Sequence, residues 1–354
     1  MKKSLIALAV MAFAGAASAQ SSVTLFGILD TAITHGSASD GGNSFTGMTS
    51  SGYNSSRLGF RGTEDLGGGM SASFWLEGQL DTDDGTGRAA GNGLDFQRRS
   101  TVSLAGNWGE VRLGRDYTPS FWNYTVFDPF GTNGVGTNVM LTGVGVLAGP
   151  SGAGVAGAST IVRASNQASY FLPKNLGGFY GQIGYWFGET DPASTGDGYG
   201  LRLGYGAGPF NVALSYANTK DDANGDFSTW NLGGSWDFGM AKVMAQYGRD
   251  TADGVAGGGD IDGRGWLIGG LVPVGAGEIR AAYSDYRIDA VGGDLRARKL
   301  ALGYVHNLSK RTALYATVAR VRNDNGMAIT LGGATAGVGD FDSTGYDIGI
   351  RHSF

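Results

Sequence analysis

Tyr199–Tyr216 reads YGLRLGYGAGPFNVALSY. Tyr199, Leu201, Leu203 and Tyr205 alternate with Gly200, Arg202 and Gly204. After a glycine-proline turn at Gly206–Pro209, Phe210, Val212, Leu214 and Tyr216 alternate with Asn211, Ala213 and Ser215. A period of two is the strand period, so the stretch is two antiparallel strands joined by a tight turn. One face of the pair is apolar and aromatic. The other is polar, charged or glycine.

The same pattern recurs along the chain. Trp230, Leu232 and Trp236 alternate with Asn231, Gly233, Ser235 and Asp237; Leu300, Leu302 and Tyr304 with Lys299, Ala301 and Gly303; and Tyr346, Ile348 and Ile350 with Asp347, Gly349 and Arg351. Short connections, such as Glu64–Gly69, Gly106–Gly109, Pro273–Gly277 and Asn307–Lys310, take turns with long polar ones rich in aspartate. That asymmetry, with aromatics bracketing many strands, is the layout of a barrel whose outer face meets lipid. Sixteen strands are expected, at 23–35, 56–64, 70–82, 96–105, 110–117, 160–171, 179–189, 197–206, 210–219, 227–237, 240–249, 264–273, 278–287, 297–307, 312–322 and 343–354. At 264–273 and 312–322 apolar residues fall on both parities and leave the register open. The expected fold is all-β: a 16-stranded antiparallel transmembrane β-barrel with short periplasmic turns and long external loops. A barrel of about 16 strands encloses an aqueous lumen.

The N-terminus carries Lys2 and Lys3, an apolar run Leu5–Phe13 and then Ala17-Ser18-Ala19 before Gln20. This reads as a secretory signal peptide over residues 1–19, with the barrel over 20–354. The apolar run is too short for a membrane helix. Without Lys2 and Lys3, 24 basic residues stand against 31 acidic ones. An acidic balance argues against a nucleic-acid partner. The chain has no cysteine. A complete inter-strand hydrogen-bond ladder can hold an exported chain without disulfides.

Residues 117–162 are anomalous: a long connection with a single charge, Asp128. Phe121, Trp122, Tyr124, Phe127, Phe130, Val139, Met140 and Leu141 make it apolar enough to lie against a wall. An inward-folded third loop that narrows the channel is the favoured reading. An external flap or a subunit contact is the alternative.

Val23–Asp30 (VTLFGILD), Arg57–Leu66 (RLGFRGTEDL), Arg99–Leu104 (RSTVSL), Glu110–Arg115 (EVRLGR), Asn307–Ala316 (NLSKRTALYA) and Asp347–Phe354 (DIGIRHSF) carry a family likeness. In this order and spacing the set resembles the general trimeric porins of the β-proteobacteria, the neisserial and Bordetella/Comamonas type. The resemblance implies an outer-membrane homotrimer passing small ions and hydrophilic solutes. It implies a constriction loop at about 117–162 faced by wall arginines, which match Arg57, Arg99 and Arg163. Asp128 belongs to a DPFG stretch where relatives often carry more acid. Phe354, with Tyr346, Ile348 and Ile350 before it, resembles the family's signal to the barrel-assembly machinery; a plain lipid-facing strand end is the other reading. Outer-membrane lipid and lipopolysaccharide are the implied surroundings.

Charge on the lipid face costs on the order of 2–4 kcal/mol for Arg or Lys at the midplane. Parity therefore turns Arg57, Arg61, Arg99, Arg112, Arg163, Arg202, Lys242, Arg280, Lys299 and Arg351 inward, against Asp30, Glu77, Asp116 and Asp347. The remaining acids, among them Asp81, Asp83, Asp84, Asp221, Asp222, Asp226, Asp250, Asp253, Asp260 and Asp262, are expected in external loops. A basic wall lowers the barrier to anions, so mild anion selectivity is expected, with Arg57, Arg99 and Arg163 setting the field and Arg61, Glu77 and Asp128 modifying it. Alternatively these arginines only neutralise acids and tie down the loop.

An enzyme would need a nucleophile with a base in reach. His35, His306 and His352 belong to no such arrangement, and no cofactor or metal is implied. A secreted soluble β-protein and a solute-specific channel remain rivals. Trp75, Tyr180 and Trp186 have inward parity, too few to make an aromatic track.

Overall fold

The period-two alternation becomes one antiparallel sheet that closes on itself. The structure is a computed structural model that describes residues 22–147, 161–189, 194–222, 225–255, 259–290 and 293–354. The expected signal peptide, the mature start at Gln20 and residues 148–160 of the long connection lie outside the described residues.

The strands are β1 (Ser22–Ala38), β2 (Phe45–Ser50), β3 (Arg57–Gly67), β4 (Met70–Gln79), β5 (Arg99–Gly106), β6 (Gly109–Tyr117), β7 (Arg163–Phe171), β8 (Phe179–Trp186), β9 (Gly198–Ala207), β10 (Phe210–Thr219), β11 (Phe227–Asp237), β12 (Lys242–Val255), β13 (Gly259–Val274), β14 (Gly277–Ala290), β15 (Gly293–Asn307), β16 (Thr312–Asp324) and β17 (Asp342–Ser353). Each pairs with its sequence neighbour, and β1 closes the ring on β17, with Asp30 opposite Arg351 and Ile33 opposite Ile348. Gly27 and Phe354 exchange two backbone hydrogen bonds of 3.1 Å at the seam.

Seventeen strands make a sixteen-stave barrel because β2 and β3 share one stave. β3 pairs with Ser22–Ile28 of β1, and β2 with Thr31–Gly36. The break at 51–56 is built on Asp30. Its carboxylate accepts from the amides of Tyr53 (3.0 Å) and Asn54 (2.5 Å) and from the Tyr315 hydroxyl. The sequence reading began this stave at residue 56 and lacked β2. It also cut β12, β13 and β14 short at their outer ends: β12 runs on to Val255, β13 starts already at Gly259, and β14 runs to Ala290.

The apolar rows point outward. Leu201, Leu203, Leu214, Leu232, Ile268, Leu300, Leu302, Ile348 and Ile350 are exposed on the barrel's outside, where hydrocarbon replaces water. Arg202 and Lys299 point inward and touch the long connection. The apolar core lies between that connection and the inner wall. This resolves the ambiguous registers. Leu267 on β13 and Tyr315, Ala319 and Val321 on β16 face inward and are buried. Their interior is covered by protein, so apolar residues suit both faces. Met327, Ile329, Leu331 and Phe341, from the last long connection, are buried with them.

Candidate pore constriction

The connection after β6 folds into the barrel. Helix α1 (Pro119–Val126) starts at the N-cap Thr118, whose hydroxyl accepts from the Phe121 amide, with Pro119 in the first turn. A 3-10 turn follows at Gly134–Gly136 and helix α2 at Val139–Leu147. α1 lies on β8–β11, the 3-10 turn on β15–β17 and α2 on β12–β15. Phe121, Tyr124, Phe130, Val139, Met140, Val144 and Leu147 pack with Leu267, Ala282, Tyr286 and Ile288 of the wall. Wall glycines admit the loop. A Cβ on Gly233 would stand 2.2 Å from the Phe127 ring.

Polar contacts fix the loop's height. Asn123 donates to the Ala213 carbonyl (2.9 Å), and Asn231 donates to that of Ser120 (3.2 Å). Gln246 donates to the Tyr124 carbonyl (3.2 Å). Asp347 accepts from the Val135 amide (2.8 Å) and the Thr34 hydroxyl (2.7 Å). Lys299 donates to the Thr137 carbonyl (2.5 Å), and Arg202 to the Asn123 side chain (2.7 Å). Asp250 accepts from the Tyr286 hydroxyl (2.8 Å) and the Tyr124 hydroxyl (3.4 Å). Asp250 was expected in an external loop. It sits inside β12, because that strand runs further out than its alternation suggested. Asp262 likewise belongs to β13.

With β8–β17 lined by the loop, the open lumen is bounded by the walls of β3–β7. Arg57, Arg98 and Arg163 gather there. Glu77 accepts from Arg98 (2.8 Å), Arg57 (3.2 Å) and the Trp75 indole (3.2 Å). The Tyr117 hydroxyl accepts from Arg163 (3.0 Å) and Arg98 (3.4 Å), and the Arg163 guanidinium lies 4.5 Å from that ring's centre. Arg163 also donates to the Arg98 carbonyl (2.8 Å). Arg99 stands apart from this trio. It stacks 4.6 Å over Trp75 and lies 3.6 Å from Asp116, which also pairs with Arg112 at 2.6 Å. Arg61 is exposed to the lumen over the rings of Phe26 (5.2 Å) and Trp75 (5.1 Å). Four of these arginines pair with three carboxylates: Arg57 and Arg98 with Glu77, Arg99 and Arg112 with Asp116, and Arg112 also with Glu110. Arg61 and Arg163 lie against aromatic rings instead.

Two points depart from the sequence reading. Arg98, nearly fully buried, belongs to the central trio and was missed. It precedes β5, where strand parity gives no direction. Asp128 does not face the arginines. Its carboxylate accepts from the amides of Phe130 (2.9 Å) and Thr132 (3.3 Å) and from Asn138 (2.8 Å), inside the loop's own turn. Burial pushes its carboxyl above the usual carboxylate range, against the lowering effect of those donors. The loop's channel-side edge, with half-buried Trp122, Thr125, Thr132 and Asn133, is uncharged. Of the inward acids, Asp30 and Asp347 hold backbone, while Glu77 and Asp116 hold arginines. Among the described residues, no three His, Cys, Asp or Glu side chains group as a metal site would require.

A family model for Gram-negative porins matches residues 5–326. The chain belongs to the Gram-negative porins. Outer membrane porin protein 32 of Delftia acidovorans is 43% identical to this porin over the whole of both chains. An outer membrane porin protein of Bordetella pertussis is 33% identical, again over both whole chains. Among solved structures, the anion-selective porin from Comamonas acidovorans superposes with a TM-score of 0.85 at 40% identity, covering 95% of this chain and 100% of the other. This porin is therefore an outer-membrane channel protein. Its lumen is wetted by charged side chains and its outside by lipid.

Proposed function

We propose that this porin passes anions in preference to cations, with Arg57, Arg98 and Arg163 setting the field at the narrowest section. The observation that carries the reading is the charge balance there: three guanidiniums and one carboxylate, with Arg57 and Arg98 paired to Glu77 and Arg163 held by the Tyr117 hydroxyl and ring, opposite a loop edge without charge. Arg61 and Arg99, laid over Trp75, extend the positive wall. Rings beneath the guanidiniums hold them in place without neutralising them. A fixed positive ring lowers the barrier to an anion and raises it to a cation. The anion selectivity named for the Comamonas protein agrees in sign. Asp128 acts as a brace for the loop rather than as a counter-charge. The test is the reversal potential of a bilayer containing the purified protein under a KCl gradient. A potential of the anion sign supports the reading; a clear cation preference refutes it.

Three further assignments belong to this reading. Residues 1–19 direct export and are removed. The chain assembles as a homotrimer in a leaflet of lipid and lipopolysaccharide, detectable as a heat-modifiable band of threefold mass. Tyr346, Ile348, Ile350 and Phe354, exposed in alternation on the outside of β17, present the chain to the barrel-assembly machinery.

A further inference from the structure

The long strands β12–β15 carry a layered pattern on their outer surface. Tyr247 and Trp266 stand side by side in register and mark the upper edge of the apolar band. One step further from the bilayer, two residues and about 7 Å along each strand, Arg249 stands opposite Arg264, Arg264 opposite Arg287, and Arg287 opposite Arg296. One step beyond that, Asp262 stands opposite Asp289, and Asp289 opposite Asp294. Parity turns all of these residues outward, with the exposed Trp266, Ile268 and Leu300.

Four arginines in direct cross-strand register repel one another. The acidic row offsets part of this. Arg249 pairs with Asp262 at 2.8 Å, Arg264 with Asp289 at 3.2 Å, and Arg287 with Asp289 at 3.0 Å and with Asp294. Arg296 pairs with Asp285 at 2.6 Å. Asp262, Asp289 and Asp294 approach from the side away from the bilayer, and Asp285, level with Trp266, approaches Arg296 from the other. Arg249 and Arg264 keep 49% and 46% of their side-chain surface open. Each guanidinium has five N–H donors, and each of these pairs uses only part of that set. The register ties the row to the level just above the aromatic belt.

We infer that this arginine row is a docking site for the phosphate groups of the glycolipid that forms the outer leaflet. Phosphates borne on a sugar headgroup lie just above the acyl chains, at the height of the row. The planar guanidinium fork grips a phosphate by two parallel hydrogen bonds. The aspartate row holds the forks in place, and the tyrosine and tryptophan below pack against the headgroup boundary. The inference rests on the outer-membrane position of the barrel and is independent of the sign of ion selectivity.

The test uses the detergent-purified protein. Bisphosphorylated lipid A and its dephosphorylated form are titrated and followed by native mass spectrometry. The phosphorylated lipid is expected to bind at least roughly tenfold more tightly. R264Q/R287Q is expected to lose about that factor, while single-channel conductance and reversal potential stay at the parent values. Should that pair fail to insert as a conducting channel, R249Q/R296Q removes the row's two ends and is expected to lose affinity in the same direction. Equal binding of the dephosphorylated lipid overturns the inference. So does unchanged affinity in a variant of native conductance, or a change of oligomeric state with lipid binding intact.

Discussion

At the residue scale, the pore's character rests on a few side chains whose direction the backbone decides. Arg98 and Arg99 are neighbours with different roles. Arg99 follows strand parity, over Trp75 and towards Asp116. Arg98, just before β5, turns to Glu77 and Tyr117. A unit charge about 5 Å from the ion path at a dielectric constant near 80 contributes about 0.8 kcal/mol, roughly fourfold for an anion and the inverse for a cation, so about sixteenfold in their permeability ratio before screening by salt. R98Q is therefore expected to lower the anion-to-cation ratio by up to that factor, read from reversal potentials. R88Q, in the connection between β4 and β5, where Arg88 is exposed and paired with Asp81, should leave it unchanged. The opposite ranking would remove Arg98 from the selectivity argument. Strand alternation made Arg57, Arg61, Arg99, Arg163 and Glu77 legible as inward residues. It could not find Arg98, nor show that Asp128 is used up by its own turn.

At the element scale, the third loop and the wall behind it fold as partners. The aromatic run Phe121–Phe130 declared that the loop needed a surface, and the glycines of β11 and β13 supply it. Gly233 admits the Phe127 ring, and Gly265 admits Met140 and Tyr286. Overfilling such a contact costs about 1–3 kcal/mol. G233L is expected to lower the thermal unfolding midpoint and to change the open-channel conductance and its noise, because the loop must move into the lumen. G234A, whose added Cβ would meet nothing closer than 3.4 Å, is the control and should match the parent. Unchanged conductance in G233L would mean that the loop does not define the narrow section. The same packing explains the sequence ambiguity at β13 and β16. Period-two reading assumes one wet face, and there the loop keeps the inner face dry.

At the scale of the whole molecule, closure depends on the chain's two ends meeting. The Phe354 ring lies over Gly27, where a Cβ would approach it to 2.3 Å, and the backbones of the two residues pair. Truncating a partly buried Phe ring costs about 1–2 kcal/mol by area. F354A is expected to lose about that amount in urea unfolding after refolding in detergent. Its yield in the outer membrane of expressing cells should fall by far more than such a loss explains. Proportionate losses in the two measurements would reduce Phe354 to a packing residue at a strand end.

The sequence by itself determined the barrel, its number of staves and which row meets lipid on every strand but β13 and β16. Alternation is local and repeats, and a bilayer penalises every violation of it. The tertiary structure alone decided where the third loop lies, that Asp250 and Asp128 are braces, that one stave is broken at 51–56, and which arginines share Glu77. Those facts depend on residues brought together from distant strands, and no local period records them.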